Sequence, residues 1–378
     1  MTNAFKVNNL HAGESRTELS KQWATRPYDE RYLSLDDLAK SVGNRVRRET
    51  VVDLSDIEVY NDARNPMMRS PNGNLYDMTH WSFGQVAQIA GAPASYLRSL
   101  SPKLATRCLS EGLSKNAQGR GKVYFGEGKV HAVTSPTYGR IYDSDVVSCV
   151  QKIAGNGTGD TDWKIPGQMD WSTMIYDSDS PVTKMNTTLY ASDRDVWMFL
   201  VDDRNPIEVG VARNGEPDVL FRGFYVSNSE VGAGTLQLAC FYLRSLCCNR
   251  IMWGVEGFRE IRMRHSKYAP EKFLREIIPA LQEFTQSSTS RILNGVRAAQ
   301  SRRVAENDEQ LEVFLRGLGL SVARTREVLE VHMREELRPV ETVWDCANGI
   351  TAVARGIEYT DERVGLELVA KKLLDKVI

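Results

Sequence analysis

The chain has 378 residues and a mass of 42.5 kDa, room for two domains or for one core with large additions. Charged residues at 26% and hydrophobic residues at 42% are ordinary globular usage, which excludes a disordered, collagenous or coiled-coil chain. Forty-eight Lys and Arg against 49 Asp and Glu leave a net charge of -1. That argues against a wholesale basic coat protein for nucleic acid and leaves room for a local basic face.

Taken in chain order, the first fifty residues are polar and end in the basic cluster at 44–49. A helix is predicted over Ser34–Val46, capped by Ser34 with Asp36 and Asp37 in its first turn. Residues 51–61 predict a short strand, and 63–78, with Pro71-Asn72-Gly73, a turn-rich loop. From Thr79 to Leu113 apolar residues recur at helical spacing, broken at Gly91-Ala92-Pro93 and at Ser101-Pro102. Two or three short helices follow from that. Residues 116–143 alternate apolar and polar between glycines, as hairpin strands do. A helix over Ser144–Ile153, a flexible stretch at 155–160, and strands within 187–203, 218–254 and 257–268 come next. Beyond Pro270 the pattern is helical to Ile378, and Thr360, ahead of Asp361 and Glu362, is the most credible cap. The whole predicts an α+β chain, a mixed and mainly antiparallel sheet core with helical flanks at both ends. Its regions are a helical 1–118 with one or two short strands, a strand-rich core at 119–270, and a helical 271–378.

No stretch reaches the ~18 consecutive apolar residues of a membrane span, and no secretory leader is visible at the N-terminus. No membrane partner is expected. The six cysteines, Cys108, Cys149, Cys240, Cys247, Cys248 and Cys346, form no C-x-x-C pair. Reduced, buried thiols and a cytoplasmic location are the expectation. Cys247 and Cys248 would point to opposite faces of a strand.

Catalytic signatures are missing. The chain has no G-x-x-x-x-G-K-[ST] loop, no H-E-x-x-H, no H-x-E with P-C-x-x-C, and no G-x-S-x-G. The Gly-x-Gly fragments at Gly119-Arg120-Gly121 and Gly232-Ala233-Gly234 fit hairpin turns. His11, His80, His131, His265 and His332 are isolated from one another, so structural or surface roles are expected. Asp193, Asp195, Asp202 and Asp203 flank the strand Val196–Val201 and are weak candidates for holding Mg²⁺; Asp-rich turns explain them as well. No cofactor is expected, and the balance leans away from an enzyme. The repeated Ile-Tyr-Asp-Ser-Asp at 141–145 and 175–179 is too short to signal a repeat fold.

Patterns associated with DNA are several. In residues 83–102, Ala87, Gly91 and Leu97 stand at the fifth, ninth and fifteenth positions, as in a helix-turn-helix unit. A plain helical hairpin fits equally, since Pro102 ends the second helix early. A second candidate spans 314–337, where Gly317 and Gly319 interrupt two helices and Ser321 precedes Arg324 and Arg326. Charge is also segregated: residues 141–218 carry fourteen acidic and six basic side chains, and residues 244–303 carry twelve basic and five acidic. In a strand, Arg262 and Arg264 would share one face while Ile261 and Met263 take the other. Arg244, Arg250, Arg259, Lys267, Lys272 and Arg275 lie nearby, and Trp253, Phe258 and Tyr268 add rings on which exposed bases stack. The competing reading has these arginines pair with the acidic block, inside the fold or between subunits.

Residues 222–254, RGFYVSNSEVGAGTLQLACFYLRSLCCNRIMWG, followed by REIRMRH, resemble the core signature of a phage- and plasmid-borne family of unknown function. Segments at 85–113, at 130–147 and near the C-terminus, from Glu341, are similar to other parts of that family, and Ser-Asn-Ser-Glu-Val-Gly-Ala-Gly-Thr is the most specific piece. Arg250 departs from the pattern, where Gly is expected. The resemblance implies a mobile-element origin, a bacterial host cytoplasm and a hint of DNA metabolism, with no catalytic residues to carry over. Read physically, Ser227, Asn228, Ser229 and Glu230 form a polar tip between two apolar strands. The tip either binds phosphate through its amides and hydroxyls or is a self-satisfied turn with Glu230 paired to an arginine such as Arg222 or Arg244. The expected function is non-enzymatic handling of DNA, single-stranded or locally opened, by a homo-oligomer in replication, recombination or annealing. The alternatives are a metal-dependent nuclease or phosphotransfer enzyme and an oligomeric protein gripping a host factor.

Overall fold

The computed structural model describes residues 26–61, 65–70, 73–166, 169–170, 175–176, 181–211, 217–244, 250–251, 261–357 and 360–376. After a 3₁₀ turn at Tyr28–Glu30 come β1 (Arg31–Tyr32) and α1 (Leu35–Gly43). The Ser34 hydroxyl accepts the Asp37 amide at 3.1 Å, and Leu35, Leu38 and Val42 form the buried stripe that sets the helix against the core.

The segment expected to be one strand over 51–61 is two. β2 (Arg47–Asp53) ends where the Leu54 amide turns to the Gly119 carbonyl at 2.8 Å; after a 3₁₀ turn, β3 (Val59–Asn61) runs on. The expected loop at 63–78 is a hairpin of β4 (Pro66–Arg69) and β5 (Leu75–Met78), turned at Gly73, whose φ of 86° suits glycine. Three helices follow as expected, α2 (His80–Ile89), α3 (Ala94–Ser99) and α4 (Pro102–Asn116). The hairpin of β6 (Arg120–Gly126) and β7 (Lys129–Thr134) closes through Glu127 and Gly128, both with positive φ, a twist that matches the strands it joins.

Next are α5 (Asp143–Ala154), β8 (Trp163–Lys164), β9 (Met169–Asp170), β10 (Ile175–Tyr176), β11 (Leu189–Ala191), β12 (Val196–Val211), β13 (Pro217–Asn228), β14 (Leu236–Arg244), β15 (Arg250–Ile251) and β16 (Ile261–Met263). α6 (Ala269–Lys272) runs through a π-helical turn at Phe273–Ile277 into α7 (Ile278–Gln286). The chain ends with α8 (Ser290–Ser301), α9 (Asp308–Gly317), α10 (Val322–Glu336), α11 (Val343–Gly356) and α12 (Thr360–Leu374).

The strands form two main sheets, and the fold is α+β. One sheet runs β2-β6-β7-β5-β4-β3, antiparallel except for the β5–β7 pair. The other runs β1-β11-β12-β13-β14-β15, with β8 added to β12 and β16 to β14. The divide expected at 118/119 falls inside the first sheet, because β6 and β7 pair with strands from the N-terminal region. α2, α3 and α4 cover one face of that sheet through Val86, Leu97, Leu109, Val123 and Val133. The second sheet buries one face against α1, α5 and the C-terminal helices, through Met198, Phe224, Leu238, Phe284 and Trp344 among others. Its opposite face is aromatic, with Trp197 stacked on Tyr225 at 4.7 Å.

Cys108, Cys149, Cys240 and Cys346 are free thiols, the last three buried; the expectation for Cys247 and Cys248 lies outside the described residues. Among the described residues no helix is long and apolar enough to cross a membrane.

Candidate functional site

Residues 227–235 lie at the joint between the sheets. Val231 packs with Tyr124 and Ala132 of the first sheet, and Trp81 and Gln85 of α2 donate to its carbonyl at 3.0 and 3.2 Å. The expected polar tip is buried: Ser227, Asn228, Ser229 and Glu230 are all no more than 8% exposed. Glu230 meets Arg47 at 2.7 Å and Arg45 at 3.6 Å, and accepts the Asp143 amide at 3.1 Å. Arg45 also bridges to Asp143 at 3.0 Å, and Asn228 donates to that carboxylate at 2.9 Å. Arg140 binds the Glu230 carbonyl and the Glu49 carboxylate, which Lys122 reaches at 3.0 Å. Ser229 donates to the Arg194 carbonyl at 2.6 Å and accepts the Ala233 amide.

This geometry matches the self-satisfied turn, with different partners from those expected. Arg222 instead donates to the Thr285 carbonyl, and Arg244 is held elsewhere. Burial, with Glu230 close by, pushes the Asp143 carboxyl well above its ordinary range, against the pull of Arg45 and Asn228. Beside the joint, burial and then Arg47 lower His131 to about 4. The cations a phosphate would need are already engaged by carboxylates here.

The basic stretch divides. Arg244 is buried and pairs with Asp218 of the acidic block and with Glu336, both at 2.5 Å, so for this residue the competing reading holds. Arg262 and Arg264 do project outward while Ile261 packs against the core and Met263 is buried, the alternation expected of β16. Lys267, Lys272 and Arg275 are exposed after them, and Tyr268 is 62% exposed. The Lys267 ammonium sits 5.9 Å from the Tyr268 ring, and Arg275 pairs with Glu271 one turn away. Trp253, Phe258 and Arg259, and the side chain of Arg250, lie outside the described residues.

The four aspartates do not meet. β12 continues past Val201 to Val211 through irregular pairing after Asp202, so Asp202 and Asp203 lie within the strand and not at its end. The six residues Val196–Val201 separate Asp195 from Asp202, seven steps along the strand or about 23 Å at the usual rise. Asp195 pairs with Arg26 at 2.6 Å, Asp202 accepts from Asn205 at 3.0 Å, and Asp203 pairs with Lys164. No group of three or more His, Cys, Asp or Glu that could hold a metal occurs among the described residues.

Both helix-turn-helix candidates are helix pairs. In the first, Ala87 and Leu97 are buried and Gly91 has φ 69°, as the pattern requires, but α3 has only six residues. In the second, Ser321 caps α10 by accepting the Arg324 amide, and Gly319 has φ 94°. Arg324 there pairs with Glu327.

Sequence reasoning missed a group at the start of α2. The Arg194 guanidinium lies 5.2 Å over the Trp81 ring, and Arg98 lies 5.1 Å over Phe83 while donating to the His80 carbonyl. Arg194 stands inside the acidic block, where its charge was averaged away, and no spacing rule ties it to a helix more than a hundred residues earlier.

Compared with known proteins, the chain matches no protein-family model, no curated protein and no solved structure.

Proposed function

We propose that the protein handles DNA without catalysis, binding single-stranded or locally opened DNA along the ridge of Arg262, Arg264, Lys267, Tyr268 and Lys272. The observation that carries this reading is the outward placement of Arg262 on β16 and of Arg264 just past its end, continued by exposed Lys267, Tyr268 and Lys272. Cations there would follow the phosphates while the tyrosine ring offers a face to a base. Replication, recombination or annealing in the cytoplasm of a phage- or plasmid-bearing bacterium is the setting this reading implies. A nuclease reading finds no comparable support, because Asp193 and Asp195 precede β12 while Asp202 and Asp203 lie within it, and Asp195, Asp202 and Asp203 are each bonded to a neighbour.

Self-association belongs to the same proposal. β2 is a seven-residue strand at the end of its sheet, paired on one side with β6, and such an edge is a template for a second strand. Light scattering at low and moderate salt reads the mass; a monomer under both conditions removes this part.

Fluorescent oligothymidylate titrated with protein at about 50 and 200 mM salt tests the DNA reading. Binding is expected at low salt and should weaken steeply as salt rises. Arg262→Glu with Arg264→Glu should weaken it at least about tenfold with the thermal midpoint unchanged. Absence of binding at both salts overturns the reading.

A further inference from the structure

The group at the start of α2 adjoins the ridge through a continuous set of contacts. Arg264 and Lys267 flank His265 on the chain, and the His265 ring stacks on Tyr138 at 4.9 Å. A Cβ placed on Gly232 would stand 3.6 Å from the Tyr138 ring and 3.7 Å from Gln85. Gln85 and Trp81 both hold the carbonyl of Val231, the residue before that glycine. From the other side, Leu236 and Gln237 pair in register with Met263 and Arg262. Residues Gly232, Ala233, Gly234 and Thr235 therefore lie between the two basic groups, all partly exposed and none with a long side chain. Such a stretch lets another backbone approach closely.

The far group has the composition of a nucleic-acid contact. Arg98 and Arg194 are both exposed, and among the described residues neither stands in an ion pair, whereas Arg45, Arg47, Arg140 and Arg244 all do. Each lies over an aromatic ring, which leaves the second face of a planar guanidinium to stack on a base, and the N–H groups other than the one Arg98 gives to the His80 carbonyl can reach phosphate. Arg98 donates to the carbonyl of exposed His80 at 2.7 Å and Arg194 lies over the ring of the next residue, Trp81, so the two cations stand at the same end of α2, and both lower the His80 pKa after burial does. Asp193 is the opposing charge there.

We propose that Arg98, Arg194 and Trp81 form a second contact for the same single strand of nucleic acid, which runs from the ridge across Gly232–Thr235 to the start of α2. The inference rests on the reading of the ridge, and the variants are chosen to separate the two. Affinity for oligothymidylates should rise with length until the strand spans both groups. Arg98→Glu with Arg194→Glu should weaken binding of the long oligonucleotides at least about tenfold and flatten the salt dependence by about one to two phosphate contacts. The same variant should bind the shortest bound oligonucleotide within about twofold of wild type, since the ridge suffices for it. Arg98 also bonds to α2, so Arg194→Glu alone, whose guanidinium makes the ring contact and no ion pair among the described residues, serves as the variant least able to disturb folding; it should show the length effect in reduced form.

If the two-site variant and Arg194→Glu both bind long strands like wild type while Arg262→Glu with Arg264→Glu fails to bind, the inference is overturned and the ridge stands. If the wild-type protein binds no strand of any length, both fall together.

Discussion

Removing the carboxylate of Glu230 would take the nearer of two counter-charges from Arg47, which keeps Glu127 at 3.1 Å, and one of two from Arg45, which keeps Asp143 at 3.0 Å. Arg47 and Arg45 come from the segment leading into and opening β2, and the side chains of both are largely buried. A buried ion pair contributes little over an apolar replacement of both partners, but deleting one partner leaves an uncompensated charge. Glu230→Ala should therefore cost about 2 kcal/mol or more, read as a lowered urea midpoint, and Glu230→Gln should cost less because its single amide oxygen can still accept from Arg47. Arg264→Ala, on the surface, should stay within about 0.5 kcal/mol of wild type; equal losses in Glu230→Ala and Arg264→Ala would refute this account of the joint. That Glu230 needs an arginine was legible, since a carboxylate amid apolar strands must be paired. Which arginine was not, because the partner stands 183 residues away and pairing at that separation depends on how the sheets dock.

Secondary elements were legible where one local rule decided them. Ser34 ahead of two aspartates gave α1 its start, and glycines bracketing alternating residues gave the β6–β7 hairpin. β12 was cut short because Asp202 and Asp203 look like a strand end, yet each is satisfied within the sheet, by Asn205 and by Lys164 respectively. The loop expected at 63–78 is a hairpin for a related reason: Pro66 sits at the first position of β4, where a missing amide is tolerated. The cap expected at Thr360 falls on a side chain outside the described residues, while a full capping box closes α11 instead. There Thr342 accepts the Asp345 amide at 3.2 Å, and Asp345 accepts the Thr342 amide at 3.0 Å and an Arg338 N–H at 2.9 Å. Burial pushes Asp345 up, but these bonds outweigh it and hold its carboxyl below the usual range. Thr342→Ala should cost about 1 kcal/mol while Thr342→Ser costs a few tenths, measured by urea denaturation. Equal midpoints for the two variants would mean that the cap contributes nothing.

At the scale of the molecule, three histidines among the described residues are buried and all favour the neutral form. Burial lowers His131 and His265 to about 4 each, and lowers His332 as well. Both ring nitrogens of His332 lack a hydrogen-bond partner, as do Nδ1 of His131 and Nε2 of His265, so none has the second contact that would welcome a proton. Isolation in sequence predicted structural or surface roles for the histidines; that these three are buried was not legible, because it depends on packing between distant segments. In the unfolded chain each titrates near 6.5. A base whose folded pKa is depressed lends stability that is complete above its unfolded value and is lost as the pH falls below it. At pH 5 the loss is about 2 kcal/mol for each of His131 and His265 relative to neutral pH. Asp143 acts in the opposite direction, since a raised carboxyl pKa favours the folded state as acid protonates it. Burial raises Glu30, Asp145 and Asp202 too, and together these carboxyls offset part of the loss from the three histidines. The urea midpoint should thus be level from pH 8 to about 7 and fall between about 6.5 and 4. His131→Gln with His265→Gln should be less stable at pH 7.5, where packing is lost, yet show a shallower fall on acidification. A wild-type midpoint equal at pH 7.5 and 5, or a variant that falls as steeply as wild type, would show that these histidines do not govern the acid limb.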